Sequence, residues 1–433
     1  MQSIWERNTK LPEFEKLEGE KKTNVLIIGG GICGILCAYF LHQAGVDYIL
    51  VEGNRIAQGI TKNTTAKITA QHGLIYDKLL KSVGVEYAEM YLSANLSALS
   101  EYERLCSGMD CDFEKKPAYV YALADRKKIE DEVKAVNKIG FEALFCEQTM
   151  LPFPIAGAVC FPGQAQFDPM KFIGAIVQGL HIYENTFIRE IGPHTAVSEY
   201  GKINADKIIV TTHFPFINKN GNYFLKLYQH RSYVAALADC PDIEGMYVDE
   251  AENGMSFRNH HNMLLIGGGG HRTGKKSRGW EELYTFAQKY YPGARVEYSW
   301  ATQDCMSLDG IPYIGQYSAR TPDLYVATGF NKWGMTSSMA AAMILTDMIV
   351  GKKNEAAPVF SPQRSILKPQ LFVNGFEAVT NLLTPTPKRC PHLGCALKWN
   401  KAEHTWDCPC HGSRFASNGT LIDNPATGDA KIE

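Results

Sequence analysis

The sequence predicts an α/β chain in three parts, and three observations predict it. Near the start, a β-branched run is closed by three glycines and followed by a buried helical stretch and a second apolar strand. In mid-chain, strand-like runs succeed one another with few helical stretches between them, the pattern of an antiparallel sheet beside the first unit. At the end, four of the twelve cysteines crowd between Cys390 and Cys410, next to two histidines.

The bulk numbers agree with this division. A chain of 433 residues exceeds one ordinary domain, and 45% apolar with 21% charged residues is a globular composition. Net charge is −2 and no basic run stands out, so nucleic acid is not an expected partner. Apolar stretches are broken by Gly, Thr or charges before the roughly 20 residues of a membrane span. The first 22 residues mix Glu, Lys and apolar residues without the apolar core of a secretory signal, so a soluble, cytoplasmic protein is expected. Cys33, Cys37, Cys106, Cys111, Cys146, Cys160, Cys240 and Cys305 are scattered, as buried small hydrophobes are. A tight cluster in a cytosolic chain argues for metal rather than a disulfide framework.

The first element is the strand Asn24-Val-Leu-Ile-Ile28, ended by Gly29-Gly30-Gly31. A helix over 32–44 follows, Gly45 stops it, and 48–52 is a second strand. Gly29-x-Gly31-x-x-Gly34 therefore lies between strand and helix, as a dinucleotide-binding turn requires. Gly29 permits the tight turn, Gly31 lets backbone approach a pyrophosphate, and Gly34 lets helix and strand pack closely. Unpaired N–H groups at the helix start face the phosphates, and Glu52 ends the second strand where a carboxylate can accept from ribose hydroxyls.

Helices are predicted over 86–106 and 125–138, and strands over 119–123, 232–237 and 263–266. Short strands over 207–210 and 323–327 can rejoin the first sheet, which makes the nucleotide-binding domain discontinuous. Several prolines in 352–388 indicate a linker with one short helix. A second glycine run, Gly267 to Gly270, gives G-x-G-x-x-G in no frame and reads as a strand end approaching cofactor or substrate.

Three further blocks carry a resemblance. They are the polar loop Gly59-Ile-Thr-Lys-Asn-Thr-Thr-Ala-Lys-Ile-Thr69, the stretch from Trp300 to Asp304 with Asp309-Gly-Ile-Pro-Tyr-Ile-Gly315, and Tyr325-Val-Ala-Thr-Gly-Phe-Asn-Lys-Trp-Gly334. With the glycine turn they resemble the D-amino-acid oxidase and glycine oxidase superfamily over roughly 20–350. The resemblance implies FAD rather than NAD, held by Gly29, Gly31, Gly34, Glu52, Thr65, Lys67, Gly329 and Gly334. It also implies that Cys305 stands where the sarcosine-oxidase branch carries a cysteine bonded to flavin.

The C-terminal cluster is Cys390-Pro-His392-Leu-Gly-Cys395 and Cys408-Pro-Cys410-His411-Gly-Ser413. Zinc motifs pair Cys with Cys and His with His, and a one-residue gap between Cys390 and His392 suits two irons better than one tetrahedral metal. The boxes resemble the Rieske signature of the bc-complex type. That resemblance implies a 2Fe-2S cluster with Cys390 and Cys408 on one iron and His392 and His411 on the other. It further implies a bracing disulfide between Cys395 and Cys410, and a Ser413 hydroxyl bonded to a cluster sulfur. Few residues surround the boxes, so the usual supporting β-barrel base is missing and the flavoprotein body is the expected source of packing.

The expected fold is thus an FAD-binding Rossmann-like domain (about 20–80, 150–220 and 300–355) with an antiparallel-sheet substrate domain (about 81–149 and 221–299). Together they make an oxidoreductase region over 1–355, followed by a linker over 356–388 and a β-rich cluster domain over 389–433. Lys332, Arg272 and Arg258 are the candidate catalytic cations that would fix a substrate carboxylate, with His72, His230 and Arg231 as further lining residues. The expected activity is oxidation of a small amine or amino acid, with electrons passing to the cluster and on to an external one-electron acceptor. The alternative is an electron-transfer protein or reductase fed by another redox protein or by NAD(P)H. The missing second glycine fingerprint weighs against a nicotinamide feed.

Overall fold

The computed structural model of the chain describes residues 2–7 and 9–432. In chain order, the elements that build the site are β1 (Gly19–Ile28), α1 (Ile32–Gln43), β2 (Tyr48–Val51), β3 (Gly201–Val210) and β4 (Leu227–Ala238). They continue with β5 (Met263–Arg272), β6 (Arg295–Ser307), β7 (Leu324–Thr328), α2 (Gly334–Ile349) and α3 (Pro369–Leu383).

The first sheet is parallel at its centre. β1 lies between β2 and β3, β7 joins the far end of β3, and Ile182–Tyr183 extends β2, all in parallel. The central strands are buried on both faces: α1 and α2 cover one, and Leu17, Ile188, Ala196, Phe214, Tyr223 and Tyr317 pack on the other. α1 and α2 pack against each other on this sheet through small residues such as Ala38, Ala341 and Ala342, all fully buried.

The second sheet has eight strands, with β4 between β5 and β6. Its pairs are antiparallel apart from Ala118–Ala122 with Met246–Asp249. Strand Gly157–Phe161 and all of β6 belong here, so the segments 150–220 and 300–355 are not purely parts of the first sheet. The predicted helices stand at Val85–Cys106 and Arg126–Lys138, the latter capped by Asp125 accepting from the Lys128 N–H.

The region read as a linker is more ordered than its prolines suggest. It holds a short helix, Ala357–Phe360, and α3, a helix of 15 residues. Pro369 sits in the first turn of α3, where its missing N–H costs nothing, and no proline follows until Pro385. The C-terminal module is a four-stranded antiparallel sheet of two- and three-residue strands. Among the described residues, Leu397 and Phe415 are the only large apolar side chains buried in its core, too few to hold so short a segment alone.

Candidate functional site: the cofactor cavity and the metal centre

The parallel strands end in register. Ile28 pairs with both Val51 and Val210, so Gly29, Glu52 and Thr211 emerge side by side at the carboxyl edge, where open α/β sheets bind ligands. A cavity of about 1140 Å³ opens there. A Cβ on Gly34 would come within 1.9 Å of the Gly29 carbonyl oxygen, and one on Gly29 (φ 113°) within 2.8 Å of Thr211. Those two glycines are demanded by the protein's own packing.

Gly31 is different. Its Cβ would find nothing closer than the Thr61 hydroxyl at 3.5 Å, although it faces the cavity at the start of α1. Gly334, which opens α2 into the same cavity, has nothing within 4 Å. Two helix starts, neither carrying an acid in its first turn, thus present bare backbone to one cavity. This fits the pyrophosphate and flavin chain of FAD. Glu52 accepts from the Gly30 N–H (2.7 Å) and the Asn54 N–H (2.9 Å), which fixes its carboxylate, while burial raises its pKa. Thr65, Lys67 and Gly329 line the cavity too. Desolvation, and then the charge of Arg258, pulls the Lys67 ammonium down to about 7.

β4 and β6 form a wall with two functions, because side chains alternate along a strand. Thr302, Asp304 and Met306 face the cavity. Gln229, Arg231 and Gln303, of the other parity, grip the cluster module, and Arg231 also borders the cavity. The Gln229 amide donates to the His411 carbonyl (2.8 Å), and the Gln303 amide to the Gly412 carbonyl (2.9 Å) and to Gln229 (2.7 Å). Arg231 binds Glu403 in a fork. Burial alone would raise the Glu403 pKa, but Arg231 and Arg414 hold it at about 2. These contacts supply the support expected from the flavoprotein body.

Within the module, each Cys/His loop is closed by paired backbone bonds. The Gly394 N–H reaches the Cys390 carbonyl and the Gly412 N–H the Cys408 carbonyl, both at 2.9 Å. A disulfide joins Cys395 and Cys410 across the loops. The thiols of Cys390 and Cys408 meet in a hydrogen bond, and the rings of His392 and His411 lie 4.9 Å apart. Each ring uses Nε2 on a protein oxygen, His392 with Asn218 Oδ1 (2.9 Å) and His411 with the Phe224 carbonyl (3.0 Å). Each Nδ1 is buried without a partner. Two thiols and two unpaired imidazole nitrogens fit a cluster with one thiolate-bound and one histidine-bound iron. The fully buried Ser413 hydroxyl accepts from the Ala426 N–H and bonds the Cys390 thiol, in keeping with its implied role.

Of the three candidate cations, Lys332 lines the cavity, its Nζ 3.1 Å from the Glu252 carbonyl. Arg258 and Arg272 do not, and this corrects the sequence reading. Arg258 is fully buried and spends its guanidinium on the carbonyls of Thr65, Ala66 and Asn259. Arg272 braces the cluster loop, donating to the carbonyls of Pro409 (2.9 Å) and Cys410 (3.0 Å) and to Asn374 Oδ1 (2.8 Å). His72 is locked between Tyr91, Thr69 and Thr336, and His230 faces Glu252 at 3.2 Å. The glycine run does approach the cavity through Gly267, Gly268 and Gly270, and then packs Gly274 against Pro409 of the cluster loop.

Cys305 borders the cavity but shares the parity of Gln303. It packs among Leu227, Phe214 and Tyr313, 3.6 Å from the Thr328 hydroxyl, and burial pushes its thiol up to about 12. The sequence reading missed Asp304 and His213. Asp304 is raised to about 6 by burial, against the pull of Lys332 and Arg231. His213, in the left-handed region at φ 65°, has a buried, unpartnered Nε2 and lines the cavity. The polar run Thr211-Thr212-His213 directly after a parallel strand was the available signal.

Known proteins bear on both halves. The profile of the FAD dependent oxidoreductase family, DAO, matches residues 24–348. The chain belongs to that family. A Rieske 2Fe-2S domain profile matches 377–432, so the second cofactor is a Rieske-type cluster. A Bacillus subtilis (strain 168) protein, YhfW, named as a Rieske 2Fe-2S iron-sulfur protein, is 33% identical over 98% of this chain and 96% of its own length. The cytochrome b6-f complex iron-sulfur subunit of Synechococcus sp. (strain JA-3-3Ab) is 54% identical over 37 residues, 8% of this chain and 22% of that one. Among solved structures, L-proline dehydrogenase from P. horikoshii superposes with a TM-score of 0.68 at 16% identity, covering 80% of this chain and 98% of that one. Glycine oxidase from Geobacillus kaustophilus gives 0.67 at 19% identity, covering 80% and 99%. These likenesses show a shared fold over the flavoprotein region. Among the described residues, no helix is long and apolar enough to cross a membrane.

Proposed function

We propose that this protein is a dehydrogenase that oxidises the C–N bond of a small amino acid or amine and delivers the electrons, through its cluster, to an external one-electron acceptor. One observation carries the reading. The segment Thr211 to Phe214 touches both centres. Thr211 donates to the carbonyls of Ile28 and Gly29 at the FAD turn, while the Phe214 ring lies edge-on to His411 and His392, at 6.0 and 6.5 Å between centroids. Three residues of chain span at most roughly 11 Å. Asn424 of the cluster module clamps this segment by donating to the carbonyls of Thr212 and Phe214. The histidine side of the cluster site is therefore turned toward the cofactor cavity.

FAD supplies a two-electron acceptor and the Rieske cluster a one-electron relay. The chain supplies recognition. Asp304 and Lys332 bring opposite charges to the same cavity, which matches an amino-acid zwitterion with its carboxylate on Lys332 and its ammonium on Asp304. Asp304, held near 6, can take the ammonium proton and so free the amine lone pair for oxidation. The amino-acid and proline substrates named for the solved relatives agree with this class.

Anaerobic mixing of the oxidised holoprotein with a panel of amines and amino acids tests the proposal. An amino acid should bleach the flavin, with cluster reduction coincident or following, while NADPH should leave both oxidised. Asp304→Asn should lower kcat/KM by roughly 100-fold and abolish the fall in rate below about pH 6. Bleaching by NADPH with no response to any amine would replace the dehydrogenase with the reductase reading.

A further inference from the structure

The helix α3 is inverted for a surface helix. Its polar residues Asn374 and Asn381, seven apart and so on one face, are buried, Asn374 against the body, where Arg272 donates to it, and Asn381 against the cluster module, where the Ala396 N–H donates to its backbone carbonyl. Glu377, its only acid, turns inward to pair with Lys275. The outward face is apolar. Phe372 is 72%, Phe376 71% and Leu383 77% exposed, and Val373, Val379 and Leu382 complete the stripe. Leu367 extends it beyond the helix start. Its other end meets the cluster. Arg389 donates to the carbonyls of both Leu382 and Gly394, and a Cβ on Gly394 would touch Leu382. This carries the stripe onto Leu393, exposed between His392 and Gly394.

Contiguous apolar surface of this kind marks an interaction site, and the charges around it select the occupant. Between residues 356 and 402 the sole acid is the inward Glu377, whereas Lys368, Lys388, Arg389, Lys398 and Lys401 are basic. Lys388 lies 4.2 Å over Trp406, which neighbours the exposed Trp399. A second copy of the chain, paired through the same face, would set one basic fringe against another. An anionic bilayer complements both features, taking the apolar stripe among its acyl chains and the fringe among its headgroups.

We propose that α3 and Leu393 form a docking surface for an anionic lipid bilayer, with Phe372, Phe376 and Leu383 inserted at the interface. The helix lies on the membrane rather than across it. The exposed Leu393 edge of the Cys390 loop then meets the lipid surface, so an acceptor dissolved in the membrane can reach it.

Co-sedimentation of the holoprotein with vesicles of phosphatidylcholine and phosphatidylglycerol tests this, with pure phosphatidylcholine vesicles and light scattering without lipid alongside. The protein should bind the mixed vesicles, more weakly at high salt and on pure phosphatidylcholine. The double substitution Phe372→Ser/Phe376→Ser should weaken binding by about tenfold or more. Lys368→Glu and Lys388→Glu should each weaken it by about fivefold. Unchanged flavin and iron content certifies that each variant is folded. Failure to bind the mixed vesicles, or binding indifferent to the two phenylalanines, overturns the proposal. So does a dimer that the double substitution dissociates and that shows no affinity for vesicles.

Discussion

The proposed ligands and the bracing disulfide of the cluster all fall between Cys390 and His411, whereas the cavity takes its walls from segments between Ile28 and Asp429. The cluster loops place strong donors by short-range spacing and need only a small core. The cavity depends on the register of two sheets. Yet the two are not independent, because β4 and β6 give one face to each. The module with the most self-contained chemistry is the one least able to stand alone. Gln229, Gln303, Arg231 and Arg272 of the body hold its loops through backbone carbonyls and Glu403.

The largest effects should come from breaking the local side of this contrast. Cys390→Ser or Cys408→Ser should remove essentially all iron, measured by metal analysis and the cluster's visible absorption, and leave FAD in place. Cys395→Ser should keep the iron but release it sooner on heating. Iron lost from Cys395→Ser and kept in Cys390→Ser would show that the ligands are misassigned.

Two alanine substitutions in one turn sharpen the cavity side. Gly34→Ala drives a Cβ into the Gly29 carbonyl and should destabilise the fold by about 3 kcal/mol. Gly31→Ala meets no protein atom closer than 3.5 Å. Denaturation of its flavin-free form should match the parent, while FAD affinity falls about tenfold or more. Equal destabilisation of the two would mean that Gly31 serves packing rather than the cofactor.

The seam between the regions has a pH signature. Glu403 is held at about 2 in the folded protein against an ordinary value of 4.5. Its stabilisation is therefore complete above 4.5 and is lost as pH falls from there through about 2. Glu403→Gln should lower the stability of the seated module by on the order of 2–3 kcal/mol at neutral pH and flatten this acid window, read from thermal loss of cluster absorption. The smallest effect is expected at Cys305. Although it borders the cavity, its thiol is buried among apolar side chains and raised to about 12, which disfavours the thiolate a flavin bond needs, so acid precipitation should leave FAD in the supernatant for both the parent and Cys305→Ala.

By itself the sequence determined what short-range chemistry determines. The turn from Gly29 to Gly34, the strand-ending Glu52 and the two Cys/His boxes are backbone-local signals, so their cofactors and the mixed α/β architecture could be read directly. Tertiary structure decided which way side chains point. The period of two along β4 and β6 was legible, but which parity meets the cluster module depends on pairing register with distant strands. That register commits Gln229 and Gln303 to the His411 and Gly412 carbonyls and leaves Asp304 facing the cavity. Arg272 stands in the same row as Asp304, at the end of its strand, and reaches the Pro409 and Cys410 carbonyls instead. Arg258 went astray for a related reason, since a buried guanidinium satisfied by carbonyls looks in sequence like any other arginine. The prolines around 352–388 signalled a linker, but the stretch after Pro369 is free of them and forms a helix. Asn374 turns inward onto Arg272 of the body, Asn381 turns inward and bonds back to Glu377 of its own helix, and the phenylalanines are left on the exposed face.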